Sequence, residues 1–147
     1  MEARVVSLSP NRMANSFPRG LPSFYIRVYQ IVDDPSLDPI ISWSKSNNSF
    51  IVWKLREFYK EIVLKSAEFD RCFSRFFYNI HRHGFKRIKG PPGILEFGHE
   101  NFVRGQPQLL RKMMVKTRLE KLEKKRAKSR ARKDRVNVEH LLENLQI

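Results

Sequence analysis

The chain of 147 residues is poor in the residues that build covalent or metal-held frameworks. It has one cysteine, Cys72, so no disulfide can form within it, which suits a reducing compartment. With a single cysteine, its four histidines do not make a zinc-finger pattern. No apolar run is long enough to cross a membrane, and the polar start lacks the apolar stretch of a signal peptide. Disulfide scaffolds, zinc fingers and membrane spans are therefore not expected.

Features typical of enzymes are also lacking. The aspartates Asp33, Asp34 and Asp38 lie beside prolines and look like helix-stop and turn residues rather than paired catalytic carboxylates. No Ser/His/Asp or Cys/His spacing is supported by the pattern, and the six glycines form no glycine-rich phosphate loop. We expect no enzyme activity, no cofactor and no metal site.

What the chain has in excess is positive charge. It contains 29 lysines and arginines against 15 acidic residues, a net charge of +14. The excess is +6 in residues 1–110 and +8 in residues 111–147. Such a distribution suggests a polyanionic partner, usually nucleic acid, with an acidic membrane surface as the alternative. The high aromatic content argues against full disorder.

Hydrophobic periodicity predicts three short helices. The first covers residues 24–32, with Ser23 as a plausible N-cap and an Asp-Asp-Pro stop after it. The second covers residues 55–64. The third covers residues 73–83, with a stripe of phenylalanines and an isoleucine on one side, and Gly84 is placed to end it.

Runs of β-branched and aromatic residues predict two hairpins. Their strands are 40–43 with 50–53, and 85–88 with 94–97. A Gly-Pro-rich loop at 89–93 separates the last two strands, and residues 101–110 could form a short helical turn before Pro107 intervenes. The order helix, hairpin, two helices, hairpin is that of a winged helix-turn-helix, an α+β fold that combines a three-helix bundle with a small antiparallel sheet.

We divide the chain into three parts, namely a flexible N-terminal arm (1–22), a winged-helix domain (23–106) and a basic tail (107–147) that is helical or disordered. The residue types from 111 to 135 favour helix, but their like charges repel unless a polyanion neutralises them. The apolar residues after them span barely more than one heptad, so a stable homotrimer is not expected. They are Val138, Leu141, Leu142 and Leu145.

Six segments, in order and with near-correct spacing, resemble the DNA-binding domain of the heat shock (heat stress) transcription factors. They lie between about Phe24 and Gly105. The segments are FYIRVY (24–29), VDDP (32–35), ISWS with NSFIVW (41–44, 48–53), FSRF (73–76), GFKRI (84–88), and EF with NFVRGQ (96–97, 101–106). The short loop before Ile94 is closer to the plant members. The chain resembles a truncated member, because it stops where the family's trimerisation heptads begin.

The resemblance implies that helix 73–83 lies in the major groove and reads inverted GAA repeats, while Lys86 and Arg87 contact phosphate. The helix departs from the family motif where bases are read. The family's guanine-reading arginine falls on Tyr78, and neighbouring positions differ as well. The candidate DNA-binding residues are Ser74, Arg75, Tyr78, Asn79, His81, Arg82, Lys86 and Arg87.

We therefore predict a protein that binds duplex DNA with altered or weakened specificity and without an activation region, with Arg75 or Arg82 as possible compensation for the lost arginine. The alternative is a non-specific basic protein that binds RNA or DNA, with Tyr78, His81 and His83 stacking on exposed bases. The basic run matches a monopartite nuclear import signal, which predicts the import machinery as a partner and a nuclear location. Its residues are Lys124, Lys125, Arg126 and Lys128.

Overall fold

The computed structural model describes residues 17–145 of the chain, and the side chains of residues 17–143. Most of the predicted N-terminal arm, residues 1–16, lies outside the described residues. The chain divides between Met114 and Val115 into two compact units, which are described in turn.

Three helices lie between residues 17 and 108 of the first unit. They are α1 (Ser23–Asp33), α2 (Leu55–Phe58, continued by a π-helical turn at Tyr59–Val63) and α3 (Phe73–Arg82), with short 3-10 turns at Pro35–Leu37 and Ala67–Phe69. All three were predicted from periodicity. The predicted N-cap Ser23 is wrong, because α1 already begins at this residue, and Pro22 takes the cap position without a side-chain hydrogen bond.

The predicted Asp-Asp-Pro stop after α1 is confirmed, because the helix ends at Asp33 and a 3-10 turn begins at Pro35. The Asp34 carboxylate accepts hydrogen bonds from the Ser36 amide (3.0 Å) and the Ser36 hydroxyl (2.7 Å). This carboxylate caps the 3-10 turn, and Pro35 stands at the first position of that turn, where a missing N–H costs nothing.

The second helix is less regular than its periodicity predicted. The amide of Leu64 donates to the carbonyl of Tyr59, five residues earlier, at 3.0 Å. This is the hydrogen bond of a π-helical turn, which accommodates one extra residue in a helix. Ile62 and Val63 are both buried there.

Four strands form one antiparallel sheet in the order β1-β2-β4-β3. They are β1 (Ile41–Trp43), β2 (Ser49–Val52), β3 (Lys86–Ile88) and β4 (Leu95–Gly98). Each predicted hairpin is present, and the two join through β2 and β4, where Phe50 pairs with Phe97 and Ser49 with Gly98. Strands β2 and β4 approach each other closely at Gly98, since a Cβ added there would lie 2.7 Å from the Cβ of Ser49. The winged-helix α+β prediction is confirmed.

The core is rich in aromatic side chains and lies between the helices and one face of the sheet. Its largest fully buried rings are Tyr29, Phe50, Phe58, Phe69, Phe76, Phe85 and Phe102. The core continues into the last helix, α4 (Leu109–Leu145), through the buried Leu110, Met113 and Met114. The domain boundary drawn from the sequence lies after residue 106, whereas the buried core reaches Met114.

The helical turn expected at residues 101–110 is wrong for most of its length. Residues 101–108 form turns, with Gly105 at φ 78° and Pro107 buried, and the helix begins only at Leu109. A positive φ and a proline that lacks a backbone N–H both interrupt a helix.

The second unit consists of the rest of α4. The basic tail is thus helical, which is one of the two states that the sequence predicted for it. From Lys121 to Glu143 every side chain is exposed. Within residues 17–145 no helix has the length and apolarity to span a membrane.

Candidate nucleic-acid interface

The inner face of α3 is fixed to the core by aromatic contacts. Phe76 and Ile80 are completely buried. The ring of Phe76 meets those of Phe58 and Phe69 edge-on, with centroids 5.0 and 4.8 Å apart, and Phe77 lies 5.8 Å from Phe97 of the sheet. Edge-to-face packing at these distances is favourable and directional. It holds the helix in one orientation and leaves the opposite face to solvent.

The ends of α3 are also defined. Before the helix, Asp70 and Arg71 both take left-handed backbone angles, with φ 56° and 50°. After it, the chain turns at Gly84, whose φ of 99° favours glycine. The tight turns set the helix apart from the segments on either side.

The outer face of α3 carries the candidate residues. Ser74, Tyr78 and Arg82 follow one another at intervals of four, so they share one side of the helix. Tyr78 stands at the centre of this side with 56% of its surface exposed. Of the candidates on α3, Ser74, Arg75, Tyr78, His81 and Arg82 are exposed, and Asn79 is half-buried. The six side chains form one polar surface, which we call the reading face.

The two arginines that α3 adds to the family motif have different surroundings. Arg75 Nε lies 3.5 Å from the Asp70 carboxylate, and both side chains are more than half exposed. Arg82 forms no ion pair with any residue of the described range. Arg82 is therefore the more available cation of the reading face.

The basic pair on β3 is divided by the alternation of the strand. Arg87 is paired with Phe97, and its guanidinium carbon lies 5.9 Å from the centre of the Phe97 ring, a cation–π distance. Since Phe97 also contacts Phe77 of α3, Arg87 lies on the side of the sheet that supports the reading face. Lys86 lies on the opposite side of the strand. The structure thus connects Arg87 to α3 through the Phe97 ring, and the alternation of the strand places Lys86 on the other face.

His83, which the sequence offered with Tyr78 and His81 for stacking on bases, lies half-buried at the end of α3. The hydroxyl of Tyr25 in α1 donates to the carbonyl of His83 at 2.8 Å, and the His83 ring stacks on Phe24 with centroids 4.4 Å apart. Its Nδ1 lies 2.7 Å from the carbonyl oxygen of Asn79. His83 therefore fastens the end of the reading face to α1.

A groove beside the start of α3 also escaped the sequence analysis. It has a volume of about 830 Å³ and is lined by Leu55, Arg56, Tyr59, Arg71, Cys72, Phe73, Ser74 and Phe77. A hydrogen bond with the Ser74 hydroxyl lowers the pKa of the Cys72 thiol. Arg56 and Arg71 are exposed, and only the fold brings these two arginines to one groove.

Comparison with known proteins places this architecture among DNA-binding domains. The family model described as HSF-type DNA-binding matches residues 24–116. Heat shock factor protein HSF8 of Solanum lycopersicum is 42% identical over 90 residues, which cover 61% of this chain and 16% of that protein. Heat stress transcription factor A-1e of Arabidopsis thaliana is 34% identical over 108 residues, 74% of this chain and 22% of that protein. The chain thus spans about a fifth of the length of these relatives.

Two solved structures share the fold. Skn7 of Chaetomium thermophilum, crystallised with SSRE DNA, gives a TM-score of 0.58 at 23% identity over 63% of this chain and 97% of that one. The same protein with HSE DNA gives 0.52 at 25% identity over 58% and 90%.

Proposed function

The chain belongs to the HSF-type DNA-binding family, and from this premise we propose that it binds duplex DNA by placing the reading face of α3 in the major groove. The family is one of DNA-binding transcription factors and not of enzymes, as expected from the sequence. We further propose that this chain acts in the nucleus as such a factor, in the manner that the names of its relatives indicate.

One observation carries the proposal: α3 is fixed to the core along one side and presents a polar and basic surface along the other. The major groove of B-DNA is about 12 Å wide and admits an α-helix of this kind. Hydrogen-bond donors on the exposed side, such as Arg82 and Asn79, then reach base edges. The family resemblance supports the same orientation.

Tyr78 decides how specific this binding is. An arginine donates two hydrogen bonds to O6 and N7 of guanine, which is worth about 1–3 kcal/mol of discrimination. The single hydroxyl of Tyr78 cannot form this pair of bonds. Arg82 lies one helical turn further along and is not ion-paired within the described residues. We therefore expect weakened preference for GAA repeats, with phosphate contacts from Arg87 and Lys86 supplying much of the affinity.

The test is a fluorescence-anisotropy titration of the full chain against a triple inverted GAA repeat and a scrambled duplex, at two salt concentrations. We expect binding to both duplexes, with a preference for the repeat that persists at the higher salt. Replacing Arg82→Gln should reduce that preference, whereas Lys60→Gln, an exposed lysine of the π-helical turn, should leave it unchanged. Failure to bind either duplex would overturn the proposal.

The exposed Tyr78 also favours a second candidate function, a non-specific nucleic-acid-binding protein. An exposed aromatic ring stacks on unpaired bases, and His81 lies on the same face of the helix. Single-stranded RNA in the same titration separates the two candidates. Equal affinity for RNA and for both duplexes supports the second, and a strict preference for duplex DNA excludes it.

The nuclear location is proposed from the basic run in α4. Lys124, Lys125, Arg126 and Lys128 are all exposed, so an import receptor could reach them. We expect Lys124→Ala/Lys125→Ala to leave a large fluorescent fusion in the cytoplasm. The matched pair Lys54→Ala/Lys60→Ala, also exposed, should not alter its nuclear accumulation.

A further inference from the structure

Residues 118–135 of α4, which we call the basic segment, carry more charge than import alone requires. The segment is helical throughout and about 27 Å long at 1.5 Å per residue. It contains ten lysines and arginines and three acidic residues, and all its side chains except the half-buried Glu120 are exposed.

Most of this charge is not neutralised by other side chains of residues 17–143. Eight of the ten cations follow one another from residue 124 to residue 135. Throughout the part of the chain that the structure describes, none of the eight forms an ion pair. They are Lys124, Lys125, Arg126, Lys128, Arg130, Arg132, Lys133 and Arg135. Like charges this close on a helix repel one another, so a polyanion that neutralises them stabilises the helix.

The charges are not scattered evenly around the helix. At 100° per residue, all ten basic positions fall in an arc of about 240°. The remaining roughly 120° holds only non-basic positions, which we call the outer stripe, and Leu119, Leu122 and Ser129 lie among the cations of the arc. The residues of the outer stripe are Glu120, Glu123, Ala127, Ala131 and Asp134. The segment therefore presents cations on three sides and keeps its acids on the fourth.

This arrangement selects among anionic partners. A membrane surface meets one narrow side of a helix and needs a large apolar face, which the acidic outer stripe does not supply. Single strands are bound by stacking on aromatic side chains, and the basic segment has none. A groove of duplex DNA has phosphates along both walls, and about 27 Å of duplex carries roughly 16 of them. Cations on three sides of a helix match two walls and the floor between them.

We propose that the basic segment is a second contact surface for duplex DNA, lying lengthwise in a groove with the outer stripe facing solvent. The inference rests on the proposed function for its partner and adds a site outside α3. Because both surfaces belong to one chain, the binding of either raises the local concentration of the other at the same DNA molecule.

Two variants of the full chain test whether DNA binding depends on the position of the charges in the arc. The arc variant is Lys125→Gln/Lys128→Gln/Arg132→Gln, which removes three charges from within the 240° arc. The relocated variant carries the same changes together with Ala127→Lys, Ala131→Lys and Asp134→Gln. The relocated variant restores the net charge but places it on the outer stripe. Gln and Lys are both good helix formers, and circular dichroism checks that helix content is kept.

The readout is the salt dependence of binding to a scrambled duplex between 50 and 200 mM salt. For the arc variant we expect a log–log slope smaller by about 2 to 3, at 0.9 per phosphate contact, and at least tenfold weaker binding at about 100 mM. The relocated variant should bind as weakly. Wild-type affinity in the arc variant would overturn the inference. Recovery in the relocated variant would also overturn it, because net charge alone would then explain binding.

The same titrations separate this inference from the proposed function. The arc variant should weaken binding to the GAA repeat and to the scrambled duplex equally, which leaves their ratio unchanged. If the wild type binds no duplex, both proposals fail. If it binds and the arc variant binds as tightly, only the inference fails. Tighter binding to single-stranded RNA or to phosphatidylserine vesicles than to duplex DNA would also overturn the inference.

Discussion

Phe76 is the residue of α3 that attaches the reading face most directly to the core. Its side chain is fully buried, with aromatic neighbours on three elements, including Phe58 at 5.0 Å and Phe69 at 4.8 Å. Phe76→Ala removes the ring and leaves a cavity, at an expected cost of about 3–5 kcal/mol in the free energy of unfolding. For a domain of this size, that lowers Tm by roughly 12–40 °C.

The assay is thermal and denaturant unfolding followed by tryptophan fluorescence. Trp43 and Trp53 both lie in the first unit, so the signal reports on that unit and not on the exposed part of α4. The matched control is Tyr78→Ala on the outer side of the same helix, where we expect a change within about 0.5 kcal/mol. Phe76→Leu, which keeps an apolar side chain, should lose less and remains measurable if the alanine variant does not fold. A Phe76→Ala variant within about 1 kcal/mol of the wild type would refute the reasoning.

Three further outcomes are expected. Tyr78→Arg should raise the preference for GAA repeats over a scrambled duplex by about 5- to 150-fold in the anisotropy titration. An unchanged ratio would show that the position does not read bases. Gly98→Ala places a Cβ 2.7 Å from the Cβ of Ser49, so thermal unfolding should show a loss of about 1–3 kcal/mol, and an unaltered Tm would contradict the close approach. Burial raises the pKa of Asp33, which accepts a hydrogen bond from Trp43 Nε1 at 2.9 Å. Above pH 3.8 the folded state therefore holds the proton on Asp33 more tightly than the unfolded chain does. The free energy of unfolding of the wild type, relative to that of Asp33→Asn, should then fall as the pH rises from 3.8. Urea unfolding at several pH values measures this difference, and a constant difference would count against it.

The fold was largely predictable because its local signals agree with one another. Period-3.6 patterns marked α1, α2 and α3, and runs of β-branched and aromatic residues marked the four strands. The π-helical turn was not predictable, because an extra residue that stays within the helix leaves the apolar pattern almost unchanged. The end of the core was also missed. Leu110, Met113 and Met114 lie next to a highly charged run, and the overall composition hid their burial.

The candidate site came from the family resemblance rather than from composition, and the structure refined it. The resemblance gave Lys86 and Arg87 the same role, but neighbouring residues of a strand lie on opposite faces, and only Arg87 lies on the face that carries Phe97. Likewise Arg75 and Arg82 looked equivalent in sequence. The left-handed turn at Asp70 and Arg71 brings a carboxylate back to Arg75, which no local pattern indicates.

The pairing of β2 with β4 has a consequence for how the domain assembles. These strands lie more than 40 residues apart in the chain, and the segment between them contains both α2 and α3. Closing the sheet therefore closes a loop that contains α2 and α3, and loop closure of this kind slows folding. During synthesis, α3 is completed before β4 exists, so the Phe77 ring at first lacks the Phe97 ring on which it packs. The helix obtains its contact with β4 only in the step that joins the two hairpins, and DNA-binding competence should appear together with the sheet in a refolding experiment.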